Sequence, residues 1–193
     1  MAINLRKGQK VDLKKLGPNF TKIMVGLGWD TNAFDSSHEF DLDASIFLAN
    51  EQGICSSDKD FIFYGNLEHG SGSVIHQGDN LTGAGEGDDE QVFVDLLKVP
   101  EHIHKIAFTV TIYDAPQRNQ NFGQVSNAFI RLLNEESGEE MVRYDLGEDF
   151  SIETALVVAE LYKHNGDWKF NAIGSGFQGG LAALCNHYGI EVE

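Results

Sequence analysis

The sequence is short of basic residues. Against 30 Asp and Glu it carries 14 Lys and Arg, a formal charge of −16 with a pI near 4.7, so most of its surface repels a phosphate backbone or an anionic lipid. Nucleic-acid binding, which needs a basic stripe, is excluded as an expectation. Cysteine is nearly absent. Cys55 and Cys185 stand far apart, without the C-x-x-C spacing of a zinc set, and read as reduced thiols rather than a disulfide. No apolar run approaches the roughly 18 residues of a membrane span, and Met1–Lys7 has no apolar signal-peptide core behind its charges. The expectation is a soluble, cytoplasmic protein with no integral membrane segment. Proline occurs three times, and no Pro-rich or Ser-rich linker or convincing tandem repeat divides the chain, so residues 1–193 read as a single domain.

What is present in excess is carboxylate, and it is concentrated. Residues Ile23 to Leu97 hold 15 acids and one base, Lys59, a local charge of −14, while the other 118 residues are nearly balanced. A solvated, solubilising face is the plain explanation of an acidic segment. Here, however, the acids alternate with strand-like runs such as Ile23–Leu27, Ser45–Leu48 and Asp60–Tyr64, which places them at strand ends and in loops. They fall in three clusters: Trp29-Asp30, Glu39–Asp43, and Gly78-Asp79-Asn80 leading to Gly85–Glu90. In an extended chain Asp41 and Asp43 point to one face, about 6–7 Å apart, and repel by about 2–3 kcal/mol at an effective dielectric near 20. No base lies near in sequence to neutralise them. Either the loops splay in water or a hard divalent cation collects their oxygens, and an oxygen-rich, glycine-rich loop suits Ca2+ better than the tight octahedron of Mg2+. The pattern is not an EF-hand: Ile46 occupies the turn-glycine place after Asp41-x-Asp43-x-Ser45, and Gln52 stands where the twelfth-position Glu belongs.

The remainder also reads as strands. Ile106–Tyr113 alternates, with Phe108, Val110 and Ile112 on one face and Thr109 and Thr111 on the other. Further strands are expected at Ala128–Leu133, Met141–Leu146 and Trp168–Gly174, and at Thr154–Lys163, whose composition also allows a helix. Asn134–Glu140 and His164–Asp167 read as hairpin connections. Val99–His104 is expected to form a short helical turn, and Gly180–His187 a C-terminal helix stopped by Gly189. The fold class that follows is all-β: a two-sheet β-sandwich with a short C-terminal helix.

Several motifs resemble chemistry without completing it. Asp41-x-Asp43 resembles the paired aspartates of aspartyl phosphotransferases, but the α/β alternation those enzymes use is missing. Gly83-x-Gly85-x-Gly87 resembles a phosphate loop, yet acids follow it and no Lys does. His102-x-His104 is read as exposed on a turn rather than as a metal pair. Gly70-Ser71-Gly72-Ser73 is not a nucleophile elbow, and no serine-hydrolase triad is apparent. Trp29 and Trp168 read as core aromatics.

Six motifs, Gly26–Asp30, Phe40–Ser45, Asp60–Tyr64, Gly78–Gly83, Gly87–Glu90 and Gln120–Val125, with the tail from Ala159-Glu160-Leu161-Tyr162 through Trp168-Lys169-Phe170, occur in the order typical of the TerD family. The chain resembles these bacterial tellurite-resistance and general-stress proteins nearly from end to end. The resemblance implies a single β-sandwich, somewhat like a C2 domain, that binds more than one Ca2+ through acidic loops and acts in stress response without an established catalytic activity. Carried onto this chain, the implied ligands are Asp30, Asp41, Asp43, Asp79, Asn80, Glu86, Asp88, Asp89 and Glu90. The expected function is a calcium-dependent binding or scaffold module, not an enzyme, with calcium and the proteins of a stress-response complex as partners. The alternative is a metal-dependent hydrolase or phosphotransferase using the same carboxylates.

Overall fold

The structure, a computed structural model, describes residues 1–31, 40–78, 87–147 and 150–192. Within them the strands are β1 (Ile3–Leu5), β2 (Lys10–Asp12), β3 (Lys22–Thr31), β4 (Leu42–Ala49), β5 (Phe61–Ile62), β6 (Val74–His76), β7 (Glu90–Asp95), β8 (Lys105–Ile112), β9 (Val125–Asn134), β10 (Glu140–Asp145), β11 (Ala155–His164) and β12 (Asp167–Phe177). Two short helices accompany them, α1 (Ala115–Arg118) and α2 (Gly180–His187). Sheet one has the order β1-β10-β9-β3-β7-β6 and sheet two the order β2-β12-β11-β8-β4-β5. Their pairings are antiparallel apart from the parallel pair β1 and β10. The expected all-β sandwich with a C-terminal helix is what forms.

Alternation builds the core. Ile23, Val25 and Leu27 of β3 face inward, as do Ala44, Ile46 and Leu48 of β4 and Ile106, Phe108, Val110 and Ile112 of β8, closing one apolar layer between the sheets. A second, smaller core lies on the outer face of sheet two. There Leu184, Cys185 and Tyr188, from α2 and the residue after it, cover Phe47, Ala107, Ala155 and Val157. Sheet two is thus buried on both faces beneath the helix, which explains why Ala155–Ala159 carries no alternation and why Thr109 is buried with its hydroxyl donating to the Ser45 carbonyl at 2.9 Å. The ambiguity at Thr154–Lys163 resolves as a central strand held between β8 and β12.

The short helical turn expected at Val99–His104 is reduced to one hydrogen-bonded turn, from Pro100 to Ile103. A 3-10 turn at Leu96–Lys98 precedes it, and a single Ile103 N–H to Pro100 carbonyl bond of 3.0 Å turns the chain so that Ile103 enters the core. Both tryptophans pack against the core as half-buried residues. Among the described residues no helix is long and apolar enough to cross a membrane.

Phe47 is the keystone of the second core. Its ring stacks on Phe61 at 4.7 Å and on Tyr188 at 4.5 Å, and it is fully buried. Phe47→Ala is expected to destabilise the fold by about 3–5 kcal/mol, read as a shift in the urea midpoint, with release of the C-terminal helix visible as faster amide exchange over Gly180–His187.

Candidate functional site

β3 and β7 run antiparallel with Leu27 opposite Glu90, so Trp29 and Asp30, at the end of β3, meet Asp88 and Asp89, just before β7. The Asp89 N–H donates to the Leu27 carbonyl at 2.8 Å, and the Trp29 N–H donates to Asp89 Oδ2 at 2.7 Å. Burial pushes the Asp89 carboxyl above its usual range; the Trp29 amide opposes this, while the charges of Asp30 and Asp88 add to it. Asp30 is exposed, and its Oδ2 accepts from Asn127 Nδ2 at 2.7 Å. Asn127 itself sits at φ 52, in the left-handed region that Asn tolerates.

Glu90 points the other way, between the sheets, where it is 3% exposed. Its Oε2 accepts from the Ala44 N–H of β4 at 2.8 Å and meets His76 Nε2 at 3.1 Å. The Gly78 N–H donates to His76 Nδ1 at 2.9 Å. That bond leaves the ring proton on Nε2, so a neutral imidazole donates to the carboxylate.

Asp88 has a different neighbour. Arg131 Nε donates to Oδ1 at 2.7 Å and a terminal guanidinium nitrogen to Oδ2 at 3.0 Å, with Gln91 Nε2 also on Oδ2 at 3.0 Å. The carboxylate lies over Gly26, directly opposite Arg131 in the sheet register, where a Cβ would collide with it. Hydrogen bonding to Asp88, with Glu140 adding to it, holds the guanidinium above even its ordinary range despite partial burial. The base that sequence proximity could not supply thus arrives across the sheet, 43 residues away.

The remaining implied ligands separate further. Asp43 is on the outer face of sheet two, where it lines a cavity of about 340 Å3 with Ser45, Tyr64, Thr111 and Tyr113. Asp41 is exposed just before β4, its carbonyl accepting from the Tyr113 N–H at 2.8 Å. Asp79, Asn80 and Glu86 lie outside the described residues. Among the described residues no three His, Cys, Asp or Glu side chains gather as a metal group.

Sequence reasoning passed over two histidines. Besides His76, His69 Nε2 meets Asp60 Oδ1 at 2.9 Å, while its Nδ1 accepts from the Ser71 N–H at 3.2 Å and lies 2.7 Å from Ser71 Oγ. Asp60 Oδ2 accepts from the Ser56 and Ser57 amides, and the Ser71 hydroxyl donates to Ser73 Oγ at 2.7 Å. The set ties the loop between β5 and β6 to the chain before β5. Its only advance signal was an Asp and a Ser near one buried-strand boundary, which is common.

The fold and these residues define a class: an antiparallel two-sheet sandwich that crowds carboxylates at the end where β3 stops and β7 starts. The TerD domain profile matches residues 1–188. General stress protein 16U of Bacillus subtilis (strain 168) is 64% identical over 192 residues, covering 100% of both chains. The tellurium resistance protein TerD of Serratia marcescens is 53% identical over 193 residues, again covering 100% of both. The crystal structure of a homologue of the telluride resistance protein from Streptomyces coelicolor A3(2) superposes with a TM-score of 0.65 at 19% identity, covering 86% of this chain and 95% of that one, and shares the fold. The chain belongs to the TerD family of stress-response and tellurium-resistance proteins.

The Asp88–Arg131 pair yields a direct test. Arg131→Met leaves a fully enclosed carboxylate without its base and is expected to cost about 3–5 kcal/mol. Asp88→Asn combined with Arg131→Met should recover a large part of that loss, giving a positive coupling energy in a double-mutant denaturation cycle.

Proposed function

We propose that the chain is a calcium-dependent binding module of the bacterial stress response, which acts in the cytoplasm by docking to a protein partner. The observation that carries this reading is Asp89. It is a half-buried carboxylate facing the charges of Asp30 and Asp88, and it accepts from the neutral amide of Trp29. A group whose burial disfavours its charge, beside further carboxylates, is where a hard cation does most good. The donor set suits calcium in its chemistry: carboxylate and amide oxygens with no thiolate. Asp30 and Asp89 would hold the ion, with Asp79, Asn80 and Glu86, which precede Gly87 in sequence, as further oxygen donors. Asp88 and Glu90 support the site differently, because Arg131 and the Ala44–His76 pair of donors already engage them. Asp41 and Asp43, on the other sheet, would serve a second ion.

Bound calcium would supply positive charge and a common anchor for segments that otherwise repel. The chain's own residues do the rest: Trp29 orients Asp89, Asn127 orients Asp30, and Glu90 keeps the two sheets in place beneath them. The hydrolase or phosphotransferase alternative gains little from β4, which is antiparallel to both of its neighbours, so Asp43 does not stand at the carboxyl end of a buried parallel strand.

An ion that binds only the folded state adds about 2.7 kcal/mol at a hundredfold excess over its Kd. Calcium is therefore expected to raise the melting temperature relative to EDTA, with heat of binding in calorimetry and a weaker response to Mg2+; superimposable melts and no heat would refute the reading. Asp89→Asn separates cause from effect. A carboxyl with a folded pKa above its unfolded value binds more protons when folded, so its penalty appears as pH rises through that window and is relieved as pH falls. In EDTA, Asp89→Asn should melt higher than wild type at neutral pH, with the difference shrinking on acidification. In calcium it should melt lower.

A further inference from the structure

α2 covers only part of the outer face of sheet two. Where the helix ends, a cavity of about 380 Å3 remains, with Val157, Ile173 and Phe177 as its apolar side. Its polar lining includes charges of both signs, Lys105 and Glu160, beside Gln52, Ser175, His187 and Tyr188. Lys105 and Glu160 project from neighbouring strands on the same outer face; Tyr162 is opposite Lys105 and Ala107 opposite Glu160 in the register. The two charged residues are therefore a diagonal pair, about 7–8 Å apart at the backbone, and they form no ion pair. The Lys105 ammonium lies beside Gly53 and, among the described residues, has no hydrogen-bond or ion-pair partner. Glu160 has a long contact from Asn171 Nδ2, 3.4 Å to Oε1.

A third group points to a ligand independently. Tyr188, a residue of the cavity lining, is 5% exposed with its ring stacked on Phe47, and its hydroxyl has no hydrogen-bond partner among the described residues. Burial, then the nearby Glu160 charge, push this phenol up, so it stays an O–H donor at neutral pH. Ser175 supplies a further hydroxyl. A concave, partly apolar space with a few convergent polar groups is the usual form of a small-molecule site.

We propose that this cavity binds a small zwitterion with an apolar side chain, an α-amino acid in chemical class. Lys105 and the Tyr188 hydroxyl receive the carboxylate, Glu160 receives the ammonium, and the side chain lies on Val157, Ile173 and Phe177. A zwitterion bridges the diagonal that Lys105 and Glu160 leave open, satisfying both charges at once, which neither a simple anion nor a simple cation does. The site is on the sheet face under α2, apart from Asp30 and Asp89, and does not depend on the calcium reading.

The test is titration of L-leucine into the isotopically labelled full chain, following the amides of Gly53, Ser175 and Tyr188, in calcium and separately in EDTA. Binding in either condition counts, so failure of the calcium reading does not decide this one. 3-Methylbutylamine and 4-methylpentanoate, each lacking one charge, should bind about tenfold or more weaker than leucine, as loss of one charge-assisted hydrogen bond implies. Lys105→Met and Glu160→Gln should each weaken leucine binding about tenfold or more, while Lys105→Arg keeps most of it. If Lys105→Met fails to fold, Glu160→Gln and the two truncated ligands carry the test. The proposal is overturned if neither leucine nor phenylalanine perturbs these amides at millimolar concentration, or if either truncated analogue binds as tightly as leucine.

Discussion

A buried carboxylate ties this sandwich together at its acidic end. Glu90 is the first residue of β7 in sheet one, yet it takes the Ala44 amide of β4 in sheet two. Enclosing a charged carboxylate costs free energy unless donors replace its water; here a backbone amide and a neutral imidazole do so. The imidazole is held in the required tautomer by the Gly78 amide. A continuous chain of bonds, from Gly78 through His76 and Glu90 to Ala44, therefore spans both sheets. The segments it joins are those on which Asp43, Asp88 and Asp89 lie, and their relative placement follows from it.

Around that anchor the neighbouring acids meet different fates. Before Glu90 the chain departs from strict alternation, and Asp88 folds onto the outer face of sheet one, over Gly26 and against Arg131. Glu90 turns inward to neutral donors. Asp89, between them, is partly desolvated and accepts from the Trp29 amide. Three consecutive acids thus occupy three electrostatic settings: ion-paired, hydrogen-bonded inside, and charge-crowded at the rim.

The parts of this arrangement that depend on local pattern were legible in the sequence. Alternation gave the inward face of β8, apolar runs located β3 and β4, and Gly180 with Gly189 bracketed α2 at its observed bounds. Strands of two or three residues, such as β1, β2, β5 and β6, carry too few residues for any period to register. β11 hid its identity because α2 buries the face that alternation would have left polar. The partners of the acids were the least legible part. Arg131 reaches Asp88 only through the register of β9 on β3, and His76 reaches Glu90 only through that of β6 on β7. Register is a property of paired strands, so a reading of charge along one chain counts carboxylates correctly and misses which of them the fold already satisfies.

That distinction bears on why the acids are there. If the segment from Ile23 to Leu97 served solubility alone, its carboxylates would belong on the surface, where hydration is free and each charge acts through net repulsion. Instead the buried carboxylates among the described residues, Asp60, Asp88, Glu90 and Asp95, all fall inside this segment. Each has a defined partner: His69, Arg131, the Ala44 amide, and the Leu97 amide at 3.1 Å. Burial of four charged groups is a cost that a solubilising surface never requires. The same segment therefore uses carboxylates as internal struts, and the struts position the rim acids Asp30 and Asp89 side by side against their mutual repulsion. A scaffold that spends stability to hold like charges together makes physical sense when something of opposite charge comes to sit among them.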